Sequence, residues 1–247
     1  MGLKRTCEFE NDLGEYYKLS IYDSSFSSSP SAFITTGRGF DLKYETEDRN
    51  RFSGLIPSSV QFDIVQQFSA DQTLINEIRE GAYKKFQLTI ERSTDGTSYD
   101  LWWVGNILSD VSAEQNRPLT AQSSAAEKFT TVTAVDGLAE LVDLRLDAIT
   151  TTVPTALTSF MQWTFYILNE IIQTNDLWGA SDIFMTTMVN WANSTLTVAQ
   201  GQDPFRQSAV KKEAFEVVEN EEVVFISCFD VLDRMVRTFG ANMYLSN

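Results

Sequence analysis

The pattern that most constrains this chain is a series of short runs in which apolar and polar residues alternate. Phe40-Asp41-Leu42-Lys43-Tyr44 is the clearest, with three apolar side chains on one face and two charges on the other. Tyr16-Tyr17-Lys18-Leu19-Ser20-Ile21-Tyr22 precedes it and ends in Asp23 and a serine cluster. Val60-Gln61-Phe62-Asp63-Ile64-Val65 repeats the pattern after Ile56-Pro57-Ser58-Ser59. Phe86–Ile90 and Leu101–Gly105 flank Thr94-Asp95-Gly96-Thr97, and Asp-Gly between two strand-like runs predicts a hairpin. Phe129–Val135 is rich in β-branched residues and reads as a sixth strand.

One helix interrupts this series. Asp71 is placed to cap it, Leu74, Ile75 and Ile78 share a face, and Gly81 is placed to end it. Asp136-Gly137 opens a shorter helix that turns Leu138 and Leu141 inward; Asp136 reads as its cap, a role worth about 1 kcal/mol, rather than as a catalytic carboxylate. Six strands with a single inserted helix predict a barrel or sandwich.

After about residue 150 the character changes. Thr150–Thr155 reads as a connection, and Phe160, Trp163, Ile167, Leu168 and Ile171 follow at helical spacing. Ile183-Phe184-Met185 reads as a short strand and Gln200–Pro204 as a loop. Ser227 is placed to cap a last helix with Phe229, Leu232, Val236 and Phe239 on one stripe and Gly240 at its end. Asn242–Asn247 resembles the first strand of a hairpin without its second. The expectation is therefore a mainly β protein with a first domain over residues 1–150 and a smaller α+β domain over 151–247, expected either to continue in a longer protein or to have its last strand paired by a partner.

Function is bounded by charge and by what is absent. Thirty-four acidic against 19 basic residues give a net charge of −15, which repels nucleic acid and anionic membranes. No stretch approaches the roughly 18–20 apolar residues of a membrane span. With no histidine in the chain, Ser-His-acid and Cys-His schemes lose their base and transition metals lose their commonest ligand. Cys7 and Cys228 offer neither a disulfide framework nor zinc spacing, and Cys228 sits in an apolar run as a small buried hydrophobe. The acidic clusters Glu45-Thr46-Glu47-Asp48 and Glu219-Asn220-Glu221-Glu222 lack calcium-loop spacing and read as solvated loops. The reading is a non-enzymatic chain with no catalytic, cofactor-binding or metal site.

Candidate contact residues are aromatic. Trp102 and Trp103 are adjacent, so a regular strand would point them to opposite faces, one into the core and the other to a second buried face or an interface. Tyr244, in the terminal strand-like segment, is a third interface candidate, because a partner would have to supply the missing strand pairing.

Three segments in order carry a family resemblance. They are Tyr17–Asp23 with Leu42–Glu45 and Arg51–Ser59; then Phe86–Ile90 leading to Leu101–Leu108; then Thr131–Leu141. This succession resembles the tail proteins of phages and prophages of the Bacteroidetes type, which are similar to hub proteins of contractile and siphovirus-like tails. The resemblance covers roughly the first 145 residues. It implies a tail-tube-like β-barrel followed by a second domain, and a virion structural component at the hub or baseplate, assembled in the host cytoplasm. It implies as partners identical subunits in a ring, usually three, and adjacent tail tube or tail tip proteins. The polar excursion from Ser109 to Lys128 departs from the family pattern and reads as a loop contacting neighbours. The alternatives are a distal tail or a receptor- or carbohydrate-binding tail module, and after those a carboxylate-based cell-wall glycosidase.

Overall fold

The computed structural model describes residues 1–44, 54–82, 84–109, 114–117, 127–149, 158–160, 162–164, 166–168, 208–219 and 221–243. The chain divides into two compact units, one of Met1–Glu45, Pro57–Gly137 and Leu245–Asn247, the other of Thr46–Ile56 and Leu138–Tyr244.

The first unit is built on a mixed sheet. Its strands are β1 (Gly2–Glu10), β2 (Tyr16–Asp23), β3 (Ser31–Ala32), β4 (Phe40–Tyr44), β5 (Ser58–Val65), β6 (Phe86–Ser93), β7 (Asp100–Ile107), β8 (Glu114–Arg117) and β9 (Glu127–Val135), with helix α1 (Ser69–Glu80) between β5 and β6. They run in the order β3-β1-β2-β6-β7-β9-β5-β4, and β8 lies against β9. Every pairing is antiparallel except β1 with β3. The protein is thus mainly β, as the alternating runs predict.

The barrel expected from the sequence is not closed, because among the described residues no ladder joins β3 to β4. A strap, residues 33–39, crosses the gap instead. Phe33 N donates to Thr6 O of β1 at 3.0 Å, and Val65 N of β5 donates to Ile34 O at 2.9 Å. Thr36 Oγ1 donates to Asp63 Oδ2 at 2.9 Å, and Asp63 also accepts from Thr131 on β9 at 2.7 Å. The strap therefore takes single bonds from each side where a closing strand would take a ladder.

The core follows the strand alternation. The register row Cys7–Leu19–Ile90–Trp103 crosses β1, β2, β6 and β7 on the inner face, and Val60, Phe62, Ile64, Val132 and Ala134 extend it across β5 and β9. α1 closes this core with Leu74, Ile75 and Ile78, as its spacing predicts. Asp71 is not the residue before the helix but its third, where the carboxylate reaches back to accept from Phe68 N at 3.0 Å and Gln67 N at 3.2 Å. Arg5 secures the helix to the sheet through Ala70 O at 2.8 Å. Lys4 adds ion pairs to Asp23 at 2.8 Å and Glu77 at 2.5 Å.

Two features differ from the sequence reading for identifiable reasons. β1 is missing from the predicted strands because a register shift between Leu3 and Arg5 breaks its two-residue period just where Lys4 and Arg5 stand together. β8 lies within the excursion from Ser109 to Lys128 expected to be loop, and it is recruited by pairing with β9 rather than by its own polar sequence.

In the second unit, helix α2 (Gly137–Glu140, beginning in the first unit) leads to a segment whose backbone meets the last helix, α3 (Cys228–Thr238). Cys228 N donates to Leu144 O at 2.7 Å and Phe229 N to Leu141 O at 3.2 Å. Ser227 caps α3 by accepting from Asp230 N at 3.1 Å. The buried stripe is Cys228, Val231, Leu232, Met235 and Val236, offset from the expected Phe229–Phe239 line. Phe239 instead meets Phe160 edge-on at 5.4 Å. Residues 160, 162–164 and 166–168 are helical, with Trp163, Ile167 and Leu168 buried. Two small sheets complete the described part, β10 (Thr158–Ser159) with β11 (Ala209–Val210), and the hairpin β12 (Glu216–Glu219) with β13 (Glu222–Phe225). The expected strand at Ile183–Met185, the loop at Gln200–Pro204 and Ile171 lie outside the described residues.

Candidate functional site

The tryptophan pair lies beside a β-bulge. Ile90 faces Trp103 but Glu91 faces Leu101, so Trp102 is the extra residue in β7. The bulge overturns the expectation of opposite faces: Trp103 belongs to the inner core, and Trp102, half-buried, packs against the same core. Trp102 lies 5.8 Å from Tyr17 and 5.9 Å from Phe40, and Phe9 stacks on Tyr17 at 5.8 Å. Sequence alone offers no signal for this, since the bulge is visible only in the pairing with β6. Tyr244 lies outside the described residues.

Trp103 anchors a buried polar chain. Its Nε1 donates to Ser58 Oγ at 2.8 Å, and both Ser58 N and Ser58 Oγ donate to Asp136 Oδ2 at 2.7 Å. Asp136 N returns a bond to Ser58 O at 3.0 Å. Asp136 is 1% exposed and Ser58 2%, so this carboxylate joins the start of β5 to the end of β9 in addition to preceding α2. Gly105 serves the same corner. A Cβ there would lie 2.2 Å from Trp103 Cη2 and 2.4 Å from Val135 O, so the indole and β9 close in on a position only glycine can fill.

Two further carboxylates also hold the fold, Asp23 in the buried part and Asp95 at an exposed turn. Burial raises the pKa of Asp23, but hydrogen bonds from Lys4 and Ser25 outweigh it, and the group titrates below the usual aspartate range. In the β6–β7 turn, Asp95 accepts from Ser98 N at 2.9 Å and Thr97 N at 2.8 Å, which holds its carboxyl far below the ordinary value, while Gly96 takes φ +70°. Of the two acidic clusters, residues 45–48 lie outside the described residues; Glu219, Glu221 and Glu222 are exposed at the β12–β13 turn. Among the described residues no group of three Cys, Asp or Glu is arranged to hold a metal ion. No helix there is long and apolar enough to cross a membrane.

The remaining candidate surface is the outer edge of β1. A cleft of about 630 Å³ separates it from the strap, lined by residues 6–10 on one side and by residues 32–37 and Gly39 on the other. Glu8 and Glu10 are exposed on this edge, with Phe9 and Ile34 as its apolar lining. Sequence reading missed it together with β1. In the second unit Val218 (73% exposed) and Val223 (63% exposed) face each other across the hairpin, an apolar pair left in solvent.

Compared with protein-family models, with curated proteins and with solved structures, the chain matches none.

Proposed function

We propose that the chain is a structural component of a phage or phage-like tail, a hub or baseplate ring protein whose role is mechanical rather than catalytic. On this reading the first unit is the tube-like domain and the second an α+β module. Identical subunits, three to a ring, and adjacent tube or tip proteins are the partners, and the assembled virion tail is the location.

The observation that supports this reading most is the open sheet. Its path ends in β3 and β4 with no ladder between them among the described residues, and the edges of a sheet left open are templates for pairing with another chain. The exposed Val218–Val223 pair and Leu13, 85% exposed at the β1–β2 turn, add apolar surface of the kind that assembly covers. A carbohydrate-binding tail module would need an open aromatic platform. The rings of Phe9, Tyr17, Phe40 and Trp102 turn toward one another instead, which favours the ring protein.

Electron microscopy of the purified chain together with the products of its neighbouring genes tests the proposal. Discs with threefold symmetry that stack on tube protein are the expected result. Isolated particles that join no neighbour would overturn it.

A further inference from the structure

We infer that the outer edge of β1, from Thr6 to Glu10, is a strand-addition site for an extended basic segment of a different protein. This goes beyond the ring reading and does not depend on it.

Thr6 O accepts from Phe33 N, so the peptide groups of Thr6 point away from β2. Strand alternation then turns the N–H and C=O of Glu8 and Glu10 to that same edge. β3 covers only Arg5 and Thr6; beyond it the strap lies over the inner-face side chains of β1, with the Thr35 main chain on the Cys7 thiol and Gly39 against the Phe9 ring, while Val65 and Asp63 hold it to β5. Among the described residues no backbone hydrogen bond joins the strap to Glu8 or Glu10. The cleft between strap and edge, about 630 Å³, is within the ~300–1,000 Å³ range of ligand clefts. An added strand would continue the ladder where β3 leaves it, the recognition mode of sheet-edge peptide binders.

Charge selects the occupant. Glu8 and Glu10 are two residues apart, so both carboxylates lie on one face of β1, and neither has an ion-pair partner among the described residues. A strand laid beside them meets both with Lys or Arg at alternate positions and turns its intervening apolar residue toward Phe9. A second copy fits poorly. Each copy carries a net charge of −15, and no described strand bears basic residues two apart.

The test uses the full chain and a labelled, end-capped peptide of alternating lysine and valine, followed by fluorescence anisotropy. Saturable binding is expected, weakened roughly 2–30-fold in an E8Q/E10Q variant, the range for two exposed ion pairs. Both positions are exposed, so the variant keeps the far-UV circular dichroism of the parent. The same peptide N-methylated on alternate amides, which removes its ladder donors, is expected to show no binding. Equal binding by the N-methylated peptide, an unchanged affinity in E8Q/E10Q, or no saturable binding overturns the inference. So does hydrogen-exchange protection of the Glu8 amide that grows with chain concentration in the absence of peptide, because a second copy would then be the occupant.

Discussion

Replacing Asp136 by alanine removes the acceptor of two 2.7 Å bonds from Ser58, both in a region closed to water. Hydrogen bonds to a charged partner contribute about 1.5–3 kcal/mol each, and a buried N–H left without an acceptor keeps its desolvation cost. Ser58 N cannot turn to another partner, whereas Ser58 Oγ keeps the bond it accepts from Trp103 Nε1. The expected loss is therefore about 3–5 kcal/mol, a large part of the 5–15 kcal/mol typical of a domain. D136N keeps one acceptor atom without the charge and should lose roughly 1–2 kcal/mol. S58A removes the bond to Asp136 and leaves the indole N–H unpartnered, for a loss of about 2 kcal/mol. Because each single change removes the same Ser58 Oγ–Asp136 Oδ2 bond, D136A/S58A should fall short of the sum of the single losses by about 1 kcal/mol. Urea unfolding followed by far-UV circular dichroism reads all four values. A D136A loss below about 1 kcal/mol, or strictly additive losses, would refute the idea that this carboxylate joins β5 to β9.

Other perturbations probe the same frame. G105A should destabilise by about 1–3 kcal/mol, since the new methyl meets both the Trp103 ring and the Val135 carbonyl, and a neutral outcome in urea unfolding would contradict that packing. W102A should cost about 2 kcal/mol in the isolated chain, because the indole packs on Tyr17 and Phe40; a variant that unfolds like the parent and fails only to assemble would return Trp102 to a purely interfacial role. Asp23 titrates below its unfolded value, so its contribution is complete above about pH 4 and is lost as pH falls through the folded value. For Lys4, burial lowers the pKa but the bonds to Asp23 and Glu77 raise it further; its contribution is complete below the unfolded value near 10.4 and is lost as pH rises through the folded one. D23N should accordingly flatten the acid limb of a stability–pH curve, and an unchanged limb would contradict the pairing.

Legibility in the sequence followed locality. Strands whose period is unbroken, such as Phe40–Tyr44 and Phe129–Val135, are visible because alternation alone places their side chains. α1 is visible because Leu74, Ile75 and Ile78 share one face, although the capping role of Asp71 belongs to a third-position residue reaching backward. The rest depends on partners distant in sequence. β1 is hidden by its bulge at Lys4, and the Trp102–Trp103 arrangement by a bulge that exists only relative to β6. Ser58 reads as part of a turn, yet it carries the bond between a tryptophan 45 residues away and an aspartate 78 residues away. Both the β1 cleft and the open sheet arise where strands fail to pair, and pairing is a property of the whole fold.

The β4 end of the sheet, the exposed Val218–Val223 pair and Leu13 are the surfaces expected to join copies of this chain. Multi-angle light scattering on the purified chain, over a series of rising concentrations, weighs that claim directly. The account predicts a discrete species near three times the 27.9 kDa chain mass that persists or grows with concentration. A single species of 27.9 kDa at the highest concentration reached would contradict it.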